Sequence, residues 1–269
     1  MSTITLSKEQ IHKGNLILVN REYGIQPASE EPLAPASDAT PEILLQRCAA
    51  TLLNQLMQEI QGWHSIVPVS GWRSGEEQQQ IWDNTLRESG LAFTEKYVAV
   101  PGHSEHQTGL AIDLGLKQEH IDFICPDFPD TGICRIFRQK AAKYGFILRY
   151  PAGKEKITGI GHEPWHFRYV GIPHAKIMEE NELTLEEYME FIRQYPHGAK
   201  AYRFQSGIQE IAVSFLSGRH CGCTFPDKAD FPTLHVNTAP VSAVINLPDH
   251  HPYTVSGNNI DGFILTEWR

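Results

Sequence analysis

The sequence predicts an α+β fold: a small, mainly antiparallel sheet with helices packed on it, followed by a small β-rich C-terminal appendage. Three observations carry this. Short apolar runs bounded by turn residues, Ile66-Val67-Pro68-Val69, Leu110-Ala111-Ile112-Asp113-Leu114 and Phe146-Ile147-Leu148-Arg149-Tyr150, have the length of strands. Longer stretches among them carry apolar residues at helical spacing. After Pro196-His197-Gly198 the character changes to short apolar stretches, Ile208 to Leu216 and Val241 to Leu247, separated by turn signals such as Ser217-Gly218 and Asp261-Gly262.

Taken in order, the chain opens with an extended segment and a Pro/Ser-rich loop from Pro27 to Pro41. A helix is expected from about Pro41 to Gln61, because Ile43-Leu44, Leu52-Leu53 and Leu56 recur at helical spacing. The strand at Ile66 leads to Arg73, and Ser74 can cap a helix over Glu76 to Ser89. Phe93 to Gly102 reads as a loop over a cleft, and Asp122 to Gly132, rich in Pro and Asp, as another loop. A helix over Arg135 to Tyr144, a strand over Phe146 to Tyr150 and a closing helix over Leu185 to Tyr195, which must stop ahead of Pro196, complete the first part. The expected division is 1–197 for a main domain and 198–269 for an extension without a legible role.

At 269 residues and 41% apolar content the chain can bury one sizeable core and a small second one. A net charge of −9 argues against nucleic acid and anionic membrane as partners. Five cysteines, an odd number, do not form the pattern of a secreted disulfide framework, so reduced thiols are expected. The first ten residues have neither a basic segment followed by an apolar core nor a membrane-spanning run. With Met1 as the true start the protein is expected in the cytoplasm; with an N-terminal anchor trimmed away it would be exposed at the envelope.

Chemistry concentrates in two segments, Ser104-Glu105-His106 to Asp113 and Glu163-Pro164-Trp165-His166. His106, Asp113 and His166 supply two imidazoles and a carboxylate, the ligand set of a catalytic zinc with an open position, and Glu163 is a spare carboxylate to act as base. His106 and Asp113 are an odd number of residues apart, so a straight strand would send them to opposite faces; a turn at Gly109 resolves this. Glu163 and His166 raise the same difficulty, and a bend is expected at Pro164. Arg73 stands at a strand end, placed to reach into a cleft and neutralise an oxyanion. His103 and His162 flank the ligands and read as supporting or pocket residues. His12, His64, His120, His174, His197, His235, His250 and His251 read as ordinary surface or hydrogen-bonded residues. His220-Cys221-Gly222-Cys223 has the makings of half a metal site, but no second cysteine pair completes it.

These residues resemble the zinc D-alanyl-D-alanine peptidases of glycopeptide resistance, the VanX, VanY and VanXY type. The family pattern Ser-x-His-x-x-x-x-x-x-Asp is matched by Ser104, His106 and Asp113, and Glu-x-x-His by Glu163 and His166. The surroundings at Tyr144 to Pro151 and Thr158 to Gly171 are also similar, and the likeness covers roughly 14–195. The resemblance implies a D-Ala-D-Ala peptidase/hedgehog-like fold, zinc held by His106, Asp113 and His166, Glu163 as general base, and Arg73 polarising the scissile carbonyl. Gln78, Ser104, Ser70 and Trp165 would bind substrate. The implied reaction is hydrolysis of the D-Ala-D-Ala bond in a free dipeptide, at the end of a peptidoglycan precursor pentapeptide, or both, which removes what vancomycin binds. Strict dipeptidases of the family carry Asp three residues before the arginine, where this chain has Ser70. The departure favours D,D-carboxypeptidase, with dipeptidase as a second activity. L,D- or endopeptidase chemistry on the same fold, or a zinc-holding binding module without catalysis, are the alternatives; Glu163 and Arg73 count against the last.

Overall fold

The computed structural model describes residues 2–26, 31–218, 241–247 and 251–269, with Ser2 and 241–247 described by backbone alone. In chain order the strands are β1 (Ser2–Ser7), β2 (Leu33–Ser37), β3 (Thr40–Gln46), β4 (Ile66–Ser70), β5 (Ala111–Leu116), β6 (Phe146–Tyr150), β7 (Glu163–Tyr169), β8 (Tyr202–Ser206), β9 (Gln209–Ser217), β10 (Val241–Leu247), β11 (Tyr253–Gly257) and β12 (Gly262–Trp268). The α-helices are α1 (Arg47–Glu59), α2 (Gly75–Ser89), α3 (Leu91–Tyr97), α4 (Gly132–Ala141), α5 (Glu155–Thr158), α6 (His174–Glu180) and α7 (Leu185–Arg193). They form two compact units, Leu18–Glu190 and a second made of Met1–Ile17 with Phe191–Arg269. This differs from a single cut at 197/198, because β1 pairs antiparallel with β10, Ile4 opposite Ile245.

The larger unit is built on a four-stranded antiparallel sheet in the order β4-β5-β7-β6. Its apolar residues close a core that includes Leu53 and Leu56 of α1, Ile112 and Leu114 of β5, and Phe146 of β6. Phe128, Phe137 and Phe167 meet edge to face with centroids 4.8–5.7 Å apart, a packing that adds roughly 0.5–1.5 kcal/mol per pair beyond buried area. The second unit is strand-rich, with a sheet in the order β11-β12-β9-β8 and a cluster of Leu6, Ile11, Phe263 and Leu265.

Several expectations hold. Strand β6 has the bounds read from the sequence, and α2 starts at a capping box in which Ser74 Oγ accepts from the Glu77 amide. Others are corrected. The expected helix from Pro41 begins only at Arg47, because 40–46 form β3 and pair with β2 inside the expected Pro/Ser-rich loop. A hairpin that supplies ladder partners overrides the helical spacing of Ile43 and Leu44. The first half of the expected loop over Phe93 to Gly102 is instead the end of α3, whose Thr94 Oγ1 donates to the Gly90 carbonyl. Cys48, Cys125 and Cys134 are free thiols. His220, Cys221, Cys223, His235 and His250 lie outside the described residues. No helix among the described residues is long and apolar enough to cross a membrane.

Candidate active site

Sheet register gathers the site. Asp113 on the central strand β5 stands opposite Ser70 of β4 on one side and His166 of β7 on the other. Directly opposed residues on neighbouring strands share a face, so Asp113 and His166 meet without any loop having to place them. His106 arrives from a 3-10 turn, Glu105–Thr108, that ends at Gly109 with φ +71°. A Cβ at that glycine would stand 3.0 Å from Leu33 and 3.2 Å from the Gln46 amide, so glycine serves both the left-handed turn and the close approach. The turn expected at Gly109 is therefore where the structure makes it.

The parity problem at Glu163 is solved differently from a loop bend. Strand β7 runs unbroken through Pro164, but its pairing with β6 slips: Tyr150 faces Glu163 while Leu148 faces Phe167. Two steps on β6 span four on β7, and this bulge carries Glu163 Oε2 to 3.6 Å from His166 Nδ1.

His106 Nε2 lies 3.1 Å from Asp113 Oδ2, and His166 Nδ1 lies 3.0 Å from Asp113 Oδ1. One ligand atom from each residue falls within 4.8 Å of the others, and all three residues are buried. Around a tetrahedral zinc with bonds of roughly 2.0–2.2 Å, neighbouring ligand atoms stand about 3.3–3.6 Å apart, so the cluster needs only small shifts. Asp113 Oδ1 is buried without a hydrogen bond, although an imidazole nitrogen lies beside it. A buried carboxylate set between the nitrogens of two imidazoles is a donor set that a shared cation satisfies, and the residues fit a metal on that ground. His106 Nδ1 donates to the Gly71 carbonyl at 2.7 Å, so the neutral ring turns the lone pair of Nε2 to the site.

Burial sets the electrostatics. It raises the Glu163 carboxyl to about 8 against the pull of His166. It also lowers His106 to about 4, with Arg73 adding to the effect. At His166 burial works against the charge, but Asp113 and Glu105 prevail and hold the imidazole at about 9.

Arg73 is held at three points: Nε donates to Ser70 Oγ at 2.9 Å, Nη1 to Gln78 Oε1 at 3.1 Å and Nη2 to Asp113 Oδ2 at 3.1 Å. Gln78 also donates to the Ala99 carbonyl and lines the pocket, whereas Ser70 is buried against the arginine and is not among the lining residues. Ser104 and Trp165 line the same pocket with Tyr97, Phe123 and Ile124. His103 and His162 hydrogen-bond the backbone carbonyls of Asn20 and Tyr150. Sequence reasoning passed over Glu105. Its side chain is fully buried, with Oε1 2.8 Å from both Arg149 Nε and Arg168 Nη1. The available signal was an arginine inside each of two apolar strands, since a buried guanidinium demands a buried acid.

Fold and site together define a peptidase built around a candidate metal centre, with a carboxylate and a guanidinium beside it. The family model described as VanY, D-alanyl-D-alanine carboxypeptidase, matches residues 42–172. The chain is 45% identical over 183 residues, 66% of its length and 95% of the relative, to the bifunctional D-Ala-D-Ala dipeptidase and D-Ala-D-Ala carboxypeptidase VanXYC of Enterococcus gallinarum. It belongs to this family of D-alanyl-D-alanine carboxypeptidases. Among solved structures it is similar to the vancomycin resistance D,D-dipeptidase VanXYg in complex with a D-Ala-D-Ala phosphinate analogue. That match has 48% identity and a TM-score of 0.88, covering 100% of this chain and 99% of the other. It is also similar to a VanY D,D-pentapeptidase variant from a VanB-type resistance cassette in complex with Zn(II), at 35% identity and a TM-score of 0.55, covering 65% of this chain and 98% of the other.

Proposed function

We propose that the chain hydrolyses the D-Ala-D-Ala bond at the end of peptidoglycan precursor pentapeptides, and in the free dipeptide as a second activity, with zinc held by His106, Asp113 and His166. One observation carries the reading: Glu163 stands 3.6 Å from a ligand nitrogen while Arg73 touches the ligand carboxylate, so base, metal site and cation converge. Zinc held by His106, Asp113 and His166 would supply Lewis acidity and lower the pKa of a water for attack.

Glu163 accepts the proton of the attacking water as the new C–O bond forms, then returns it to the amine nitrogen as the scissile C–N bond breaks. Burial raises the Glu163 carboxyl in the metal-free site, and a cation bound beside it would lower it again towards the neutral range in which one carboxylate can both take and return a proton. Arg73, fixed by Ser70 and Gln78, presents positive charge to the developing oxyanion. Ser104 and Trp165 would orient the terminal carboxylate and the peptide backbone, and Tyr97, Phe123 and Ile124 exclude water.

Ser70 offers no negative charge to the ammonium of a free dipeptide, which supports the pentapeptide as principal substrate. Similarity to a bifunctional relative and to a D,D-dipeptidase supports the second activity. The test is D-alanine release from D-Ala-D-Ala and from UDP-MurNAc-pentapeptide, side by side, with and without a chelator. Chelator-sensitive release from the pentapeptide supports the reading; release from neither substrate overturns it. The vancomycin-resistance association follows from removal of that terminus, and cytoplasmic precursors are the expected targets.

A further inference from the structure

We propose that Glu105 is a positioning residue for His166, fixing the ring so that Nδ1 faces the metal site and Nε2 carries the proton. The inference rests on the metal-site reading above. Glu105 sits one residue before His106 but its side chain turns away from that imidazole's bond to Gly71 and into the sheet, where its burial is complete. Oε1 is taken by two guanidinium groups, Arg149 and Arg168, each at 2.8 Å. Arg149 is itself clamped by both oxygens of Glu186 on α7, at 2.9 and 2.6 Å. Two fully buried arginines, one of them anchored twice, leave the Glu105 carboxylate no freedom to rotate.

Its second oxygen, Oε2, then faces His166 Nε2 at 3.6 Å. Both atoms are buried and neither has any other hydrogen-bond partner among the described residues. Each is the group the other lacks: a carboxylate lone pair and a ring N–H. A shift of roughly half an ångström, similar to the adjustment the ligand cluster needs, would close this gap to hydrogen-bond length. His106 takes its orientation from a backbone carbonyl and His166 from a carboxylate, so the two imidazoles present opposite nitrogens to the site, Nε2 and Nδ1. Partners of this kind orient metal-bound imidazoles and raise their basicity, and losing one costs about 10–100-fold in metal affinity.

The experiment measures zinc dissociation constants by chelator competition for wild type, Glu105→Gln, Glu186→Gln and His166→Ala. Proton and nitrogen-15 NMR of the zinc-loaded wild type then assigns which nitrogen of His166 carries the proton. The expected result is a proton on Nε2, zinc binding weakened about 10–100-fold in Glu105→Gln, and a change of no more than a few-fold in Glu186→Gln. The Glu186 variant disturbs the same arginine without touching His166, so equal losses in the two would reduce Glu105 to a structural ion pair and overturn the proposal. Unchanged affinity in Glu105→Gln, or metal bound through His166 Nε2, would overturn it as well. If Glu105→Gln does not fold, the ring-proton assignment decides alone. Zinc binding unaffected by His166→Ala would remove the metal-site reading on which the proposal stands. Absence of D-alanine release by zinc-loaded wild type would strike the substrate assignment and leave the Glu105 result in place.

Discussion

Arg73 Nη2 and Asp113 Oδ2 are 3.1 Å apart, an ion pair that joins the cation beyond the end of β4 to the carboxylate at the centre of β5. Arg73 is only 14% exposed, so the pair is poorly screened and the guanidinium is held rather than free to swing. The same arginine thus steadies a candidate ligand and faces the cleft. Replacing Arg73 by Ala should lower kcat by roughly 10²–10³-fold, the usual loss of an oxyanion-stabilising donor. Steady-state kinetics with parallel zinc analysis would check it; an unchanged kcat would remove Arg73 from transition-state stabilisation.

Glu163 contacts the site without belonging to the ligand cluster. Glu163→Gln keeps the shape and removes the base, so turnover should fall about 10²–10⁴-fold while zinc remains bound at one per chain. Retained turnover in a variant of confirmed zinc content would assign the base elsewhere.

Zinc binding should release protons. In the metal-free protein at pH 7, Glu163 at about 8 and His166 at about 9 are both largely protonated, and ligation requires His166 to give up a ring proton. Calorimetry in buffers of different ionisation enthalpy should therefore show about one to two protons released per zinc, one from His166 and up to one from Glu163, falling away above pH 9. No buffer dependence would mean that the imidazole is already neutral. Removing zinc should also lower Tm, since a ligand at 100 times its Kd contributes about 2.7 kcal/mol to the folded state.

Acid should destabilise the larger unit through a group outside the site. His174 is buried with Nδ1 2.7 Å from the Tyr188 hydroxyl, and burial lowers it from 6.5 to about 3. Its folded pKa lies below its unfolded one, so the unfolded chain takes up a proton that the folded chain refuses. Stability is then lost as pH falls from about 6.5 towards 3, by at most about 1.4 kcal/mol per pH unit. Urea melts of wild type and His174→Gln between pH 7 and pH 4 should show a flatter pH dependence in the variant.

Ser70, buried against Arg73 at the edge of the pocket lining, can be tested by placing a carboxylate at that position. Ser70→Asp should raise the ratio of dipeptide to pentapeptide turnover, on the order of tenfold in kcat/KM, by pairing with the substrate ammonium. A ratio that stays level would show that pocket shape, not charge at this position, sets the preference.

The sequence alone pointed to the candidate chemistry-bearing residues and to most of the framework around them. His106, Asp113, Glu163 and His166 were legible as candidates because few residue types can serve a metal and a base, and because Gly109 marks where regular strand geometry yields; the bend expected at Pro164 is instead a slip in the pairing of β7 with β6. Strands β4, β5 and β6 were legible from apolar runs closed by turn residues. Tertiary structure decided the rest. Residues 40–46 became a strand because β2 offers a hydrogen-bonding partner that no local pattern announces. The bulge opposite Glu163 depends on where β6 stops pairing, and the pairing of β1 with β10 joins the two ends of the chain. Glu105 was invisible as a neighbour of His166 because its role arises from Arg149, Arg168 and Glu186, brought to it by strands and a helix distant in sequence. Local spacing fixes which face a side chain takes, whereas the identity of its neighbours across the sheet is set by register and packing.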